Sequence, residues 1–77
     1  MKLPRDVDAE RLIRALSSHG YNVSRQVGSH IRLTRKDGKH HITVPNHNPI
    51  KLGTLSSIIK DICVTNEIDV SAFIRKL

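Results

Sequence analysis

The run His30-Ile31-Arg32-Leu33-Thr34-Arg35-Lys36-Asp37-Gly38-Lys39-His40-His41-Ile42-Thr43-Val44 alternates apolar and polar residues on either side of one Asp-Gly pair. Alternation with period two marks half-buried strands, and Asp-Gly suits a two-residue type I′ turn because both residues tolerate positive φ. A loop of that length sets the register: Lys36 faces Lys39, Leu33 faces Ile42 and Ile31 faces Val44. Ile31, Leu33, Ile42 and Val44 then share one side of the hairpin, and His30, Arg32, Thr34, His41 and Thr43 share the other. The apolar side has to meet helices, which leaves the polar side to solvent.

Before the hairpin, residues 21–27 alternate as well, with Tyr21, Val23 and Val27 on one face, and Gly28-Ser29 separates this strand from the next. Upstream, Leu12, Ile13 and Leu16 form a stripe at helical spacing with Ala9 and Ala15 beside it, opened by Asp8 as a cap and closed by Gly20. Downstream, Pro45-Asn46-His47-Asn48-Pro49 reads as a loop. Thr54 is then the expected cap of a helix carrying Leu55, Ile58, Ile59 and Ile62, and Asp69 caps a short one carrying Val70, Phe73, Ile74 and Leu77. The expected fold is α+β: α-β-β-β-α with a three-stranded antiparallel sheet covered by helices on one face, plus a short C-terminal helix. Residues 1–77 are read as a single domain.

Composition limits what such a domain can do. At 77 residues and 8.7 kDa it has one core and no room for separate catalytic and binding lobes. Thirteen Lys and Arg against seven Asp and Glu give a net charge of +6, which favours a polyanion or an acidic protein as partner. From Arg11 to Lys60 there are nine basic residues and one acidic one, a local +8, while the ends together carry −2. Tyr21 and Phe73 are the only aromatics, too few for a surface that stacks successive bases on rings. Cys63 is the single cysteine and sits between Ile62 and Val64, where a small buried hydrophobe is expected. The N-terminal residues lack the apolar stretch of a signal peptide, and no apolar run nears the roughly 20 residues of a membrane span. A cytoplasmic location is expected.

Five histidines offer most of the available chemistry. His19 falls in the last turn of the first helix, where a partly charged ring suits the negative end of the dipole. His40, near the hairpin turn, reads as a solvated edge residue. His30 follows Gly28-Ser29 on the solvent side with Arg32 and Thr34. There the glycine permits close approach of a ligand, the serine offers a hydroxyl, and an imidazole can move protons at neutral pH. A histidine among arginines beside a phosphodiester can cleave RNA without metal, using the 2′-hydroxyl as nucleophile. Zinc is the competing use of His40, His41 and His47, but neighbouring strand residues point to opposite faces and no Cys-x-x-Cys or His-x-x-x-His pair is present. Nucleophile-elbow and P-loop motifs are absent too. No metal or other cofactor is expected.

Several of these pieces occur in a known order. Lys2-Leu3-Pro4-Arg5-Asp6, a helix ending Ser18-His19-Gly20-Tyr21, Arg25-Gln26-Val27-Gly28-Ser29-His30, Asp37-Gly38, Thr43-Val44-Pro45-Asn46-His47 and Gly53-Thr54-Leu55 together resemble the HicA toxins. The likeness runs from about residue 2 to 62. It implies a double-stranded-RNA-binding-domain-like fold, ribosome-independent mRNA interferase activity and neutralisation by a HicB-type antitoxin. It also implies that His30 is the family's essential histidine, that Gly28 and Ser29 are its motif neighbours and that His47 is a recurrent loop histidine. The tail from Cys63 to Leu77 departs from the commoner short ending. A Lys-Lys-x-x-Lys cluster at the second helix, where ordinary duplex-RNA binders hold phosphates, is missing, with Lys51 alone there.

Residues and resemblance together lead to an endoribonuclease with His30 as general acid or base. Arg25, Arg32 and Lys51 hold the RNA backbone, with Ser29 and His47 near the scissile bond and Gly28 counted among the RNA-binding residues. A second proton transfer is left to His41, His47 or water. The alternative is an RNA-binding module without catalysis, in which His30 only touches a phosphate or ribose.

Overall fold

Helix α1 (Ala9–Ser17) starts where the Asp8 carboxylate accepts the Arg11 backbone N–H at 2.8 Å, the expected cap. It buries Ala9, Leu12, Ala15 and Leu16, the expected stripe, with Ile13 half-buried at its edge. This is a computed structural model, and it describes residues 3–77; Met1 and Lys2, and with them the start of the Lys2-to-Asp6 stretch, lie outside the described residues. After Gly20 the chain enters β1 (Tyr21–Val27), β2 (His30–Arg35) and β3 (His41–Pro45), which form one antiparallel sheet in the order β1-β2-β3. Helices α2 (Leu52–Asn66) and α3 (Val70–Ile74) complete the order α-β-β-β-α plus a short α.

The hairpin register is as expected: Ile31 lies opposite Val44 and Leu33 opposite Ile42, all four buried. The turn differs. The Gly38 N–H closes onto the Arg35 carbonyl at 2.7 Å, and only Gly38 of the pair has positive φ (75°), so the connection is not type I′. The loop spans residues 36–40, and Lys36 and Lys39 form no strand pair. The same register survives because the longer loop still places the Arg35 N–H against the His40 carbonyl, at 2.8 Å.

In β1 the alternation breaks. Val23 pairs with Leu33, but the next pair is Arg25 with Arg32, so Ser24 is an extra residue in a β-bulge. Opposed residues of an antiparallel pair share a face. Past the bulge, Arg25 therefore joins Arg32 on the outer side, and Val27, opposite His30, joins them. Tyr21, Val23 and Val27 accordingly do not share a face: Tyr21 is fully buried, whereas Val27 is 59% exposed on the outer side. Val23 stays on the helix side yet is 52% exposed, because β1 is an edge strand.

The buried side chains form one cluster: Leu12 and Leu16 from α1, Leu33 and Val44 from the sheet, Leu55, Ile59 and Ile62 from α2, and Phe73 from α3. Val7 and Ile50, flanking the elements, join it, with the Ile50 N–H donated to the Val7 carbonyl at 2.8 Å. Helix α2 begins earlier than expected: Lys51, not Thr54, is its cap and makes no side-chain capping bond, while the Leu55 N–H already reaches the Lys51 carbonyl. Its end is a left-handed Glu67 (φ 54°). Asp69 caps α3 as expected, accepting the Ala72 N–H at 3.1 Å. Cys63 is buried and unpaired, and burial pushes its thiol above the ordinary range. Among the described residues no helix is long and apolar enough to cross a membrane.

Candidate active site on the outer face of the sheet

Gly28 and Ser29 form a two-residue turn between Val27 and His30. Gly28 has φ 58° while Ser29 does not turn positive, the pattern of a type II′ hairpin, in which glycine leads. A Cβ at Gly28 would meet nothing within 4 Å, so the backbone conformation, not crowding, requires glycine here. The turn projects His30, exposed, from the first position of the central strand, between Val27 of β1 and Pro45 of β3.

The loop after β3 is tied to the same corner. The Asn46 N–H donates to the Ser29 carbonyl at 2.6 Å, and the His47 N–H to the Pro45 carbonyl at 2.9 Å. His47, exposed, thus sits on the loop adjoining Ser29 and His30. Arg32 and Arg25 face each other across β1 and β2 on the same outer side, one step along the sheet. That convergence depends on the bulge at Ser24; strict alternation would have turned Arg25 towards the helices. Lys51 is exposed at the start of α2, and no hydrogen bond or strand pairing ties it to this cluster.

The arginines of this face have no carboxylate partner among the described residues. Among the described residues, ion pairs join Arg11 to Asp6, Arg14 to Glu10, Arg35 to Asp37 and His40 to Asp61. Neither Arg25 nor Arg32 appears in one. Two adjacent guanidinium groups without a counter-charge repel each other, and a polyanion lowers that energy. The face is thus suited to a phosphate backbone, with an exposed imidazole at one end.

His41 is on the outer face but far from His30. It lies four residues before Pro45, the partner of His30, so the two backbones are about 14 Å apart at ~3.4 Å per strand residue and ~4.8 Å between strands. Its Nδ1 is 2.9 Å from the Thr34 hydroxyl, which keeps the ring over Thr34. It cannot exchange protons with a group held at His30. His47 and solvent are the candidates left at that corner.

His40 is not the solvated edge residue that its position implies. Its side chain is 16% exposed, with Nδ1 2.6 Å from the Tyr21 hydroxyl and Nε2 3.2 Å from Asp61. The Asp61 carboxylate can only accept, so Nε2 carries the proton, and in the neutral ring Nδ1 then accepts the Tyr21 phenol proton while Asn66 donates to the Tyr21 oxygen at 2.9 Å. Both ring nitrogens are engaged, which leaves neither for a shared metal with His41 or His47. Asn66 also accepts from Arg35 at 3.0 Å, which extends the network to the hairpin turn. None of this is visible in local sequence, because the partners lie 19 and 21 residues away from His40.

His19 differs from expectation as well. It stacks on Phe73 with ring centroids 5.4 Å apart, and its Nε2 is buried without a partner. Burial, and then Lys76, push its pKa below the ordinary value, so the ring is held neutral and does not serve as a charged helix end. A groove of about 440 Å³ runs between β3 and α2, with Thr43, Thr54 and Asp61 among its lining residues. It contains none of the residues predicted for the site.

The family model for the HicA toxin of bacterial toxin-antitoxin systems matches residues 9–63, which run from the first residue of α1 to Cys63 in α2 and include the whole sheet. A comparison with curated proteins finds no match, and neither does one with solved structures. With more than two thirds of its length matched, and with the expected α-β-β-β-α order in place, the chain belongs to the HicA toxin family of bacterial toxin–antitoxin systems.

Proposed function

We propose that this toxin is a metal-independent endoribonuclease that cleaves mRNA in the cytoplasm, with residues 1–77 acting as one domain and His30 as general acid or base. The observation that supports this most is the exposed His30 at one end of an outer face on which Arg25 and Arg32 have no acidic partner among the described residues. In the reaction the RNA 2′-oxygen attacks the adjacent phosphorus, giving up its proton to a base, and the leaving 5′-oxygen takes a proton from an acid. His30 performs one of these transfers, a contribution of about 10²–10⁴ in rate. His47 or a water molecule performs the other. Arg25 and Arg32 hold the phosphate backbone, Lys51 extends the positive surface, and Gly28 and Ser29 shape the turn that presents His30.

The partner that restrains this activity is a HicB-type antitoxin, and an acidic surface on it would match the +6 charge of the toxin. The test is purified His30→Ala protein on a defined RNA. Cleavage should fall at least a hundredfold while RNA binding and melting temperature hold. Cleavage at the wild-type rate would remove His30 from the mechanism. Binding by the wild type with no cleavage in any RNA would make the domain a binding module only.

A further inference from the structure

A row of hydrogen bonds crosses the outer face at the end remote from His30. The Ser24 hydroxyl donates to the Arg32 carbonyl at 3.3 Å, the Thr34 hydroxyl lies 2.8 Å from the Ser24 oxygen, and His41 Nδ1 lies 2.9 Å from the Thr34 oxygen. A carbonyl can only accept, and each hydroxyl has one proton. Ser24 therefore spends its proton on Arg32, Thr34 spends its proton on Ser24, and the Thr34 oxygen is left to accept from His41. His41 consequently carries a proton on Nδ1, and in the neutral ring its lone pair is on Nε2, the nitrogen away from the row.

The bulge makes this row possible. It is Ser24, the extra residue of β1, that accepts from Thr34 and so gives the chain of bonds its direction. His41 itself is exposed, on the same face as Arg25 and Arg32 and beyond them from His30. The face thus offers, in order, a proton-transfer group, two cations and a hydrogen-bond acceptor of defined orientation. A single strand of RNA cut at His30 and held by the arginines would pass over His41 with a nucleotide other than the one being cleaved.

We propose that His41 is a second RNA-contacting position, a subsite residue whose Nε2 accepts a hydrogen bond from a neighbouring nucleotide, and that Thr34 and Ser24 position it. This rests on the endoribonuclease reading above. The chemistry required of the ligand is a donor: either a ribose 2′-hydroxyl or a base N–H. A residue of this kind selects which site is cut and leaves the bond-breaking step alone.

The experiment uses short RNAs with one cleavage site, carrying a single 2′-deoxy sugar, or inosine for guanosine, or purine riboside for adenosine, at each position other than the cleaved one. The proteins are the wild type, His41→Asn, which retains a donor towards Thr34 but lacks the outer nitrogen, and Thr34→Val. Both variants should raise KM about three- to tenfold, the worth of one hydrogen bond, with kcat unchanged. One modification should cost the wild type the same factor and cost His41→Asn nothing further. Sensitivity to the sugar series identifies the ribose as donor, and sensitivity to the base series identifies the base. The same difference should be seen as affinity for intact RNA when both proteins also carry His30→Ala. Wild-type KM and cleavage pattern in His41→Asn would overturn the subsite, as would an equal loss on every RNA with no position singled out. If instead wild-type protein fails to cut, or His30→Ala cuts as well as wild type, it is the nuclease reading that fails, a result distinct from either.

Discussion

His30 and His40 belong to one hairpin and have opposite surroundings. His30 stands exposed on the outer face with arginines nearby and, among the described residues, no carboxylate paired to them, whereas His40 is held between Tyr21 and Asp61, with Asn66 and Arg35 completing the network. Around His40 each donor has found an acceptor, which is what polar groups require when they close the end of a core. Around His30 the partners are missing, and a protein keeps unpaired cations and an imidazole together at a cost in stability that an external ligand can offset. The same residue type is thus a fastening in one place and, in the function proposed above, a reagent in the other.

The sharpest way to break this contrast is to exchange losses. His30→Ala should reduce RNA cleavage by about 10²–10⁴ and leave the melting temperature in place. His40→Ala should do the reverse, lowering stability while folded protein still cleaves at close to the wild-type rate. A His40→Ala protein that stays as stable as wild type but no longer cleaves would invert the assignment.

Next in size is Tyr21→Phe. The ring stays in its buried site, but His40 Nδ1 loses its donor and Asn66 loses an acceptor. An unsatisfied buried polar group costs about 1–3 kcal/mol, and denaturant titration should show a loss in that range with no change in KM for RNA. A loss near zero would mean that water replaces the phenol and that the network is not a fastening.

How much of this contrast was legible in the sequence depends on the range of the signal. The hairpin register, the stripe of α1 and the Asp8 and Asp69 caps are local patterns of period and end-residue, and the structure has them as read. Position alone also put His30 on the outer face. The bulge at Ser24 has no glycine or proline to announce it, so strict alternation put Val27 on the wrong side. Thr54 looked like a cap because Gly53 precedes it, yet the helix starts before both, next to Ile50, which is buried and bonded to Val7. The surroundings of His40 and His19 were out of reach, since Asp61 and Phe73 approach them only through packing.

A smaller effect tests the unpaired side. Replacing Arg25 and Arg32 with alanine removes two potential phosphate contacts from the outer face. The plot of log affinity for single-stranded RNA against log salt should become shallower by about 1.4, at ~0.7 per contact, with affinity reduced similarly for all sequences. An unchanged slope would place the RNA elsewhere on the surface. His19 offers a related measurement within the core. Its pKa is below 6.5 in the folded chain, so the unfolded chain takes up the proton first and stability falls as pH drops below about 6.5. His19→Phe should flatten that part of the pH profile, and a profile unchanged by the substitution would assign the slope to other groups.

The smallest effect belongs to Asp37, at the outer end of the fastened region. Its carboxylate accepts from Arg35 Nε and Nη2, both at 2.9 Å, and from the Lys39 N–H at 3.0 Å, and these bonds hold it at a pKa of about 2 against an ordinary 3.8. Because the folded value is the lower one, the stabilisation is fully present above 3.8 and is lost as pH falls from 3.8 through about 2. The group is solvent-exposed, so screening keeps the contribution small and salt should reduce it further. Asp37→Asn should therefore melt slightly below wild type at neutral pH and converge with it in strong acid. Two curves that stay parallel down to pH 2 would mean that the bonds to Arg35 and Lys39 orient the turn without stabilising it. In that case the firm part of the hairpin would stop at the Arg35–Asn66 contact.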